Sequence, residues 1–310
     1  MTRPSLVARL AGVALAVAAL APAVAARAQQ NFDTIQVRAI RVADGVHMLT
    51  GAGGNIALLS GPDGTILVDD QYAPLTPKIL AAVKGVTPVP VKFLVNTHFH
   101  FDHTGGNENI AREGVVIVAH DNVRERMTKE KFYARFNRRD PPAPKGALPV
   151  VTFLDQVEFH LNGETIMAFH VANAHTDGDV MVKLLNADVV HTGDVFVRYG
   201  FPFVDSESGG SVLGMIPAIE KLLAITGPRT QYIPGHGAVA TRTDVEAYLT
   251  MLRAIRDRTM AAIRQKRKLD DFVATRPLAD YEAKFGASGF IKPAEILAQA
   301  WGELEAPKRK

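Results

Sequence analysis

The 310-residue sequence predicts an α/β protein, a four-layer αββα sandwich formed by internal duplication. Three observations lead there. Short apolar or alternating runs separated by glycine turns occur in two sets, and each set is followed by segments of helical spacing. The residues with metal-ligand chemistry stand where apolar runs end. No linker justifies cutting the chain into separate domains, and 47% hydrophobic with 22% charged residues is ordinary for a globular protein with ample core.

In the first half, residues 35–42, 46–49, 56–59 and 65–68 read as strands, set apart by Asp44-Gly45, the glycines of 51–54 and Gly61-Pro62-Asp63-Gly64. Close spacing with glycine turns describes an antiparallel sheet. Residues 75–83 read as a helix, 91–95 as a buried strand, 115–119 as another strand, and 122–136 as a charged helical segment. The stretch 137–149, with Pro141, Pro142, Pro144 and Gly146, reads as an irregular linker or lid.

The second half repeats the plan. Residues 150–154, 156–161, 165–171, 180–185 and 189–192 read as strands, with Asn162-Gly163 a hairpin turn. A helix is expected within 212–225, where Pro217 either starts a fresh first turn or kinks it. Residues 231–234 form a last strand. Thr243 to Glu246 has the form of a capping box, after which Val245, Leu249, Leu252 and Ile255 place an amphipathic helix toward Gln265. A helical extension completes the chain.

Residues 1–28 differ from the rest. Arg3 and Arg9 precede an apolar, alanine-rich stretch, and Ala26-Arg27-Ala28 fits a small-x-small cleavage site, so this reads as a secretory signal peptide. The expected destination is the periplasm or the exterior, with residues 29–310 as one domain and no stable membrane anchor. Loss of Arg3, Arg9 and Arg27 brings the formal net charge from +3 to zero, which gives no bulk argument for a nucleic-acid partner. The chain has no cysteine, so every metal ligand must be His, Asp or Glu.

The stretch Thr97-His98-Phe99-His100-Phe101-Asp102-His103-Thr104-Gly105-Gly106 follows the apolar run 91–95 and reads as a metal-binding loop. Imidazole nitrogens and a carboxylate suit zinc and, less exclusively, iron or manganese. His98 and His100 can supply two donors to one ion while Asp102 and His103 supply two to a second. Each ion still lacks donors, so distant partners are expected. His175, Asp194 and His236 stand at comparable strand-to-loop positions. His47, His120, His160, His170 and His191 lie within or beside expected strands and read as packed or surface residues. Asp69 and Asp177 are candidates to orient ligand histidines. The glycines of 51–54 lack the spacing of a nucleotide loop and read as a mobile hairpin over the site.

Over about residues 45–240 the chain resembles the metallo-β-lactamase superfamily of hydrolases, whose His-x-His-x-Asp-His pattern, later histidine, bridging aspartate and Gly-His-Gly histidine correspond to His98 to His103, His175, Asp194 and His236. The resemblance implies the αββα fold, one zinc held by His98, His100 and His175, a second by Asp102, His103 and His236, and Asp194 between them. It further implies hydrolysis by a metal-activated hydroxide, with Asp102 orienting it. The stretch 173–180 is most similar to the exported β-lactamase branch, but Asp194 stands where the best-known zinc β-lactamases of that branch carry cysteine. The expected substrate is a small molecule, a cyclic amide or ester, β-lactam first, fixed by an apolar wall of Phe196, Tyr199, Phe201 and Phe203. The alternatives are a lactonase, thioesterase or phosphodiesterase of the same superfamily, or a non-catalytic exported zinc-binding protein.

Overall fold

The first half opens as an antiparallel meander of β1 (Arg38–Ala43), β2 (Val46–Thr50), β3 (Ile56–Leu59) and β4 (Thr65–Val68). The chain then crosses through α1 (Thr76–Val86) to β5 (Val91–Val95), parallel to β4. Two short helices, α2 (Phe101–Thr104) and α3 (Asn107–Arg112), lead to β6 (Val116–His120), parallel to β5. Beyond it lie α4 (Asp121–Met127), the hairpin of β7 (Lys131–Tyr133) and β8 (Arg138–Asp140), and β9 (Val151–Phe153), parallel to β6. The second sheet is the antiparallel run β10 (Gln156–Leu161), β11 (Glu164–His170), β12 (Val180–Leu184) and β13 (Val189–His191). From there α5 (Val212–Ala224) crosses to β14 (Gln231–Ile233), parallel to β13. Helices α6 (Arg242–Arg264), α7 (Leu269–Ala274), α8 (Ala279–Phe285) and α9 (Pro293–Glu305) follow.

This computed structural model describes residues 31–286 and 288–306; the leader and the basic end at 307–310 lie outside the described residues. No helix among the described residues is long and apolar enough to cross a membrane.

Strand alternation builds the layers. Ala57, Leu59, Ile66 and Val68 face Ile166, Ala168, Val180, Val182 and Ile233 of the second sheet, making the apolar filling between sheets. Ile56, Leu58 and Leu67, one residue out of phase, face outward against Leu75, Ile79 and Val83. Those three recur every four residues, the spacing that lines one face of a helix. On the other outer face Phe169, Met181, Val190 and Tyr232 meet Met215, Ile219 and Leu222 of α5 and Tyr248, Leu252 and Ile255 of α6. Strands buried on both faces read as apolar runs, as β3, Ile66 to Val68 of β4 and Val180 to Val182 of β12 do. Each fully buried aliphatic side chain is worth about 1.5–3 kcal/mol. The αββα order is therefore as predicted.

Several local expectations change. The segment 122–136 is not one helix: α4 stops at Met127, and the chain turns through β7 and β8 by way of Asn137 in the left-handed region, φ 44°. Asparagine tolerates that conformation. Part of 137–149 is accordingly regular, in β8 and a 3-10 turn at Lys145–Ala147. Residues 150–154 belong with the first sheet, because β9 pairs with β6. The helix cap is two residues earlier than expected: Thr241 is the N-cap, and its N–H donates to Asp244 Oδ2 at 3.1 Å. Helix α5 is capped by Ser211 and runs through Pro217, which starts no new turn.

Candidate metal centre

The site lies along one rim of the sandwich, where β4, β5, β13 and β14 end and the loop from β11 to β12 crosses them. Asp69 follows β4, the His98–His103 stretch follows β5, Asp194 follows β13 and His236 follows β14. His175 sits between β11 and β12, where the carboxylate of Asp179 accepts from its N–H at 2.6 Å and from the Thr176 N–H and hydroxyl. Within the loop after β5, α2 brings Asp102 and His103 back to the rim, and the His98 ring lies 4.7 Å from that of His100 and 4.2 Å from that of His103.

Hydrogen-bond chemistry assigns the proton on each ring. Thr97 donates its hydroxyl to Asp69 Oδ2 at 2.7 Å, so its oxygen has only lone pairs left for His98 Nδ1 at 3.0 Å. His98 Nδ1 therefore carries the proton, and Nε2 is a bare, buried nitrogen with no protein partner. His175 donates Nδ1–H to the Phe203 carbonyl at 2.8 Å, and His100 donates Nε2–H to Asp205 Oδ2 at 3.1 Å. The remaining His100 Nδ1 and His175 Nε2 face each other at 2.9 Å with two lone pairs and no proton between them. Three imidazole lone pairs thus converge in a dry place, an arrangement that repels itself unless a cation sits among them.

The second group is built similarly. His103 donates Nδ1–H to Asp69 Oδ2 at 2.7 Å. Its Nε2 lies 3.3 Å from His236 Nε2, 3.2 Å from Asp194 Oδ1 and 3.8 Å from Asp102 Oδ2. His236 Nε2 is 3.3 Å from Asp102 Oδ2 and 3.4 Å from Asp194 Oδ2, and the latter oxygen is 3.8 Å from His175 Nε2. Asp194 accordingly stands between the two histidine groups, with Oδ1 beside His103 and Oδ2 between His236 and His175. Donor atoms of His98, His100 and His175, of His98, His103 and Asp194, and of Asp102, His103 and His236 lie within 4.8 Å of one another, close enough to hold a metal ion.

Charge balance carries the same message. Burial pushes His98 well down, with positive neighbours adding to it. Burial also opposes the charged form of His103 and His236, yet Asp194 and Asp102 outweigh it, raising His103 well above the ordinary range and His236 to about 9. For Asp102 burial is outweighed by His103 and His236, which hold its carboxyl at about 2. The carboxylates attract positive charge, and protons supply it where no ion does.

All seven residues read as ligands in the sequence are brought together. Of the two proposed orienting acids, Asp69 holds His103 directly and His98 through Thr97, whereas Asp177 pairs with Arg126 and touches no ligand ring. Asp205 takes the role expected of Asp177. Its signal was only its place just beyond the aromatic stretch, too weak to read. His191 is buried, with Nε2 3.0 Å from the Asn55 carbonyl and Nδ1 accepting from the Gly193 N–H; it is a packed residue. His120 and His170 stack at 3.8 Å away from the centre.

The glycine stretch is tied to the site at its far end, Gly54 and Asn55. Gly54 N–H donates to the Asp102 carbonyl at 3.0 Å, Gln71 donates to the Gly54 carbonyl, and Asn55 N–H donates to the Gly235 carbonyl. A side chain at Gly54 would put its Cβ 2.1 Å from His103 Cε1, so the glycine makes room for the ring.

Beside the centre is a cavity of about 350 Å³ lined by Tyr72, Phe101, Tyr133, Phe136, Phe203 and Phe290 together with His100, Asp102, Asp194, Tyr199 and His236. The expected aromatic wall is half right. Tyr199 and Phe203 line the cavity, but Phe196 and Phe201 are buried in the outer core. The other rings come from elsewhere, notably Tyr133 and Phe136 from the β7–β8 hairpin and Phe290 from the segment before α9.

Comparison with known proteins gives the family and the fold. The family model described as Metallo-beta-lactamase superfamily matches residues 49–270. Among curated relatives, a hydroxyacylglutathione hydrolase of Brucella anthropi is 27% identical over 55% of this chain and 60% of its own length. An atrochrysone carboxyl ACP thioesterase of Aspergillus terreus is 23% identical over 58% and 48% respectively. The chain spans about half the length of the curated relatives it matches. Among solved structures, a metallo-beta-lactamase from Pontibacter korlensis has a TM-score of 0.58 at 21% identity, covering 70% of this chain and 99% of its own. A sec-alkyl sulfatase has a TM-score of 0.65 at 14% identity, covering 87% and 50%. At such identities the structural likeness concerns the fold.

Proposed function

The chain belongs to the metallo-beta-lactamase superfamily, and from that premise we propose that it is a dinuclear zinc hydrolase that opens a small cyclic amide or ester. The observation that carries the reading is the set of bare imidazole nitrogens, His98 Nε2, His100 Nδ1 and His175 Nε2, facing one another without protons. His98, His100 and His175 would hold one ion and Asp102, His103 and His236 the other, with Asp194 shared. Nitrogen and carboxylate donors in threes suit zinc. When bound, such a pair supplies Lewis acidity and lowers the pKa of water toward neutrality.

The protein's own groups do the rest. Asp102, at the cavity wall, is ionised and placed to accept a hydrogen bond from the attacking water and orient it. The aromatic rings exclude bulk water and fix the substrate's body. No lysine or arginine lines this cavity among the described residues, which supports a substrate with a neutral, apolar body. β-Lactams are the first class to test and lactones the second. A linear thioester is the second reading, favoured by the thioesterase and the hydroxyacylglutathione hydrolase among the relatives. The signal-peptide pattern supports a substrate met outside the cytosol.

The test is elemental analysis of purified protein together with a panel of β-lactams, lactones, thioesters and phosphodiesters. Two zinc equivalents and lactam or lactone cleavage abolished by chelator and by His98→Ala are expected. Preference for phosphodiesters over every lactam and lactone would refute the substrate class, and zinc without turnover would favour a binding role.

A further inference from the structure

The residues that fix the His100 and His175 rings are themselves held from an unexpected direction. Phe203 offers its carbonyl to His175 Nδ1 and Asp205 its carboxylate to His100 Nε2. Both lie on the segment 199–211, which is irregular apart from one 3-10 turn. That segment is also knit to the ligand backbone: Asp205 N–H donates to the His175 carbonyl at 2.9 Å and Ser211 N–H to the Ala174 carbonyl at 2.8 Å. Any shift of the segment moves two candidate ligands.

Lys131 holds its middle, donating to Ser208 Oγ at 2.9 Å and reaching Asp205 Oδ1 at 3.4 Å, and four residues between 285 and 303, beyond the stretch matched by the family model, hold it from the other side. Phe201 N–H donates to the Phe285 carbonyl at 2.7 Å. Gln299 of α9 donates Nε2–H to the Val204 carbonyl at 2.9 Å. Glu303, one turn further along α9, accepts from Ser211 Oγ at 2.6 Å, Val212 N–H at 2.7 Å and Leu213 N–H at 3.0 Å. Phe290 packs against Tyr199 and Phe203, with ring centroids 5.3 and 6.3 Å away. Gln299 thus grips the segment between the two residues that hold the ligand rings, Phe203 and Asp205, and Glu303 grips it at its end. A carboxylate at the first amides of α5 is favourable, since those N–H groups have no partner within the helix.

We propose that α9 is a positioning element of the metal centre: Gln299 and Glu303 hold the 203–211 segment so that Phe203 and Asp205 orient His175 and His100. The inference rests on the metal reading of the preceding subsection. Gln299 and Glu303 touch neither ligand ring nor cavity, so they act only through that segment. Removing a group that directly orients a ligand typically weakens metal affinity 10–100-fold, and one link further out a loss of about three- to tenfold is expected.

Cobalt(II) binding to the full chain, measured by competition with a chromophoric chelator, tests this. Gln299→Ala and Glu303→Ala should each weaken one of two equivalents by about three- to tenfold, while Glu303→Gln, which keeps an accepting oxygen, should recover most of the loss. Leu297→Ala, in the buried face of the same helix, should lower the melting temperature and leave cobalt affinity near wild type. Wild-type affinity in both alanine variants would overturn the proposal, as would a Leu297→Ala loss equal to theirs. Failure of the wild type to take up cobalt would instead remove the metal reading, and this inference with it.

Discussion

Asp69→Ala should disable both halves of the centre through one buried carboxylate. Asp69 is fully buried and accepts three hydrogen bonds, from Thr97 N–H, the Thr97 hydroxyl and His103 Nδ1–H, each at 2.7 Å. An alanine leaves three donors without a partner, and each buried unsatisfied group costs about 1–3 kcal/mol. Some relaxation or entry of water is expected, so the loss of stability should be about 3 kcal/mol or more. The effect on metal follows from the tautomers. Without Asp69 the Thr97 hydroxyl is free to donate to His98 Nδ1, which favours the proton on Nε2, the nitrogen that must stay bare. His103 likewise loses what fixes its ring. Affinity should fall about 10–100-fold for both equivalents, measured by chelator competition, alongside thermal melts of the metal-free protein. Asp177→Ala is the comparison, since that carboxylate faces only Arg126 and neighbouring backbone, and should leave metal affinity unchanged. Two ions bound by Asp69→Ala with wild-type affinity would refute the tautomer argument.

Gly54→Ala should displace His103, because the new Cβ meets the ring at 2.1 Å while Asp69 holds the ring from behind; overpacking of this kind costs about 1–3 kcal/mol. Gly85→Ala, with nothing within 4 Å and no unusual backbone angle, should raise stability by up to about 1 kcal/mol, and melts of the two variants show whether the clash or the glycine itself matters. Metal affinity should rise with pH towards about 9, since the metal-free protein carries a proton on His236, raised to about 9 by Asp194 and Asp102 against burial, and on His103. An entering ion must displace these protons, so affinity changes about tenfold per pH unit for each one released, and a chelator-competition series that is flat with pH would contradict this. N-terminal sequencing of exported protein should begin near Gln29; retention of Met1 on cytosolic protein would count against export.

Much of the centre is legible in sequence because strand ends and short-range spacing are local properties. The alternation of Ile56 to Leu59 and of Ile66 to Val68 gives two buried faces and hence a sandwich. The turns that follow β5, β13 and β14 fix where His98 to His103, Asp194 and His236 emerge, and donors one to five residues apart share a loop in any fold that has one. Local conflict was harder to judge. The charged stretch after β6 has helical composition throughout, yet Asn137 accepts a left-handed turn and the chain gains more by folding a hairpin whose Tyr133 and Phe136 cover the site.

The sequence by itself determined the αββα layering and the metal-binding character of the His98 to His103 loop, since these depend on residue type and periodicity, while the full set with His175, Asp194 and His236 came from the family resemblance. Only the tertiary structure decided which nitrogen of each histidine is bare. That depends on partners distant in the chain, such as Asp69 for His103, 34 residues away, and Asp205 for His100, 105 residues away. It also decided which aromatic rings line the cavity, moving Phe196 and Phe201 into the core and bringing in Phe290. A side chain's outward or inward direction follows from the packing of its whole layer, and no local pattern carries that information.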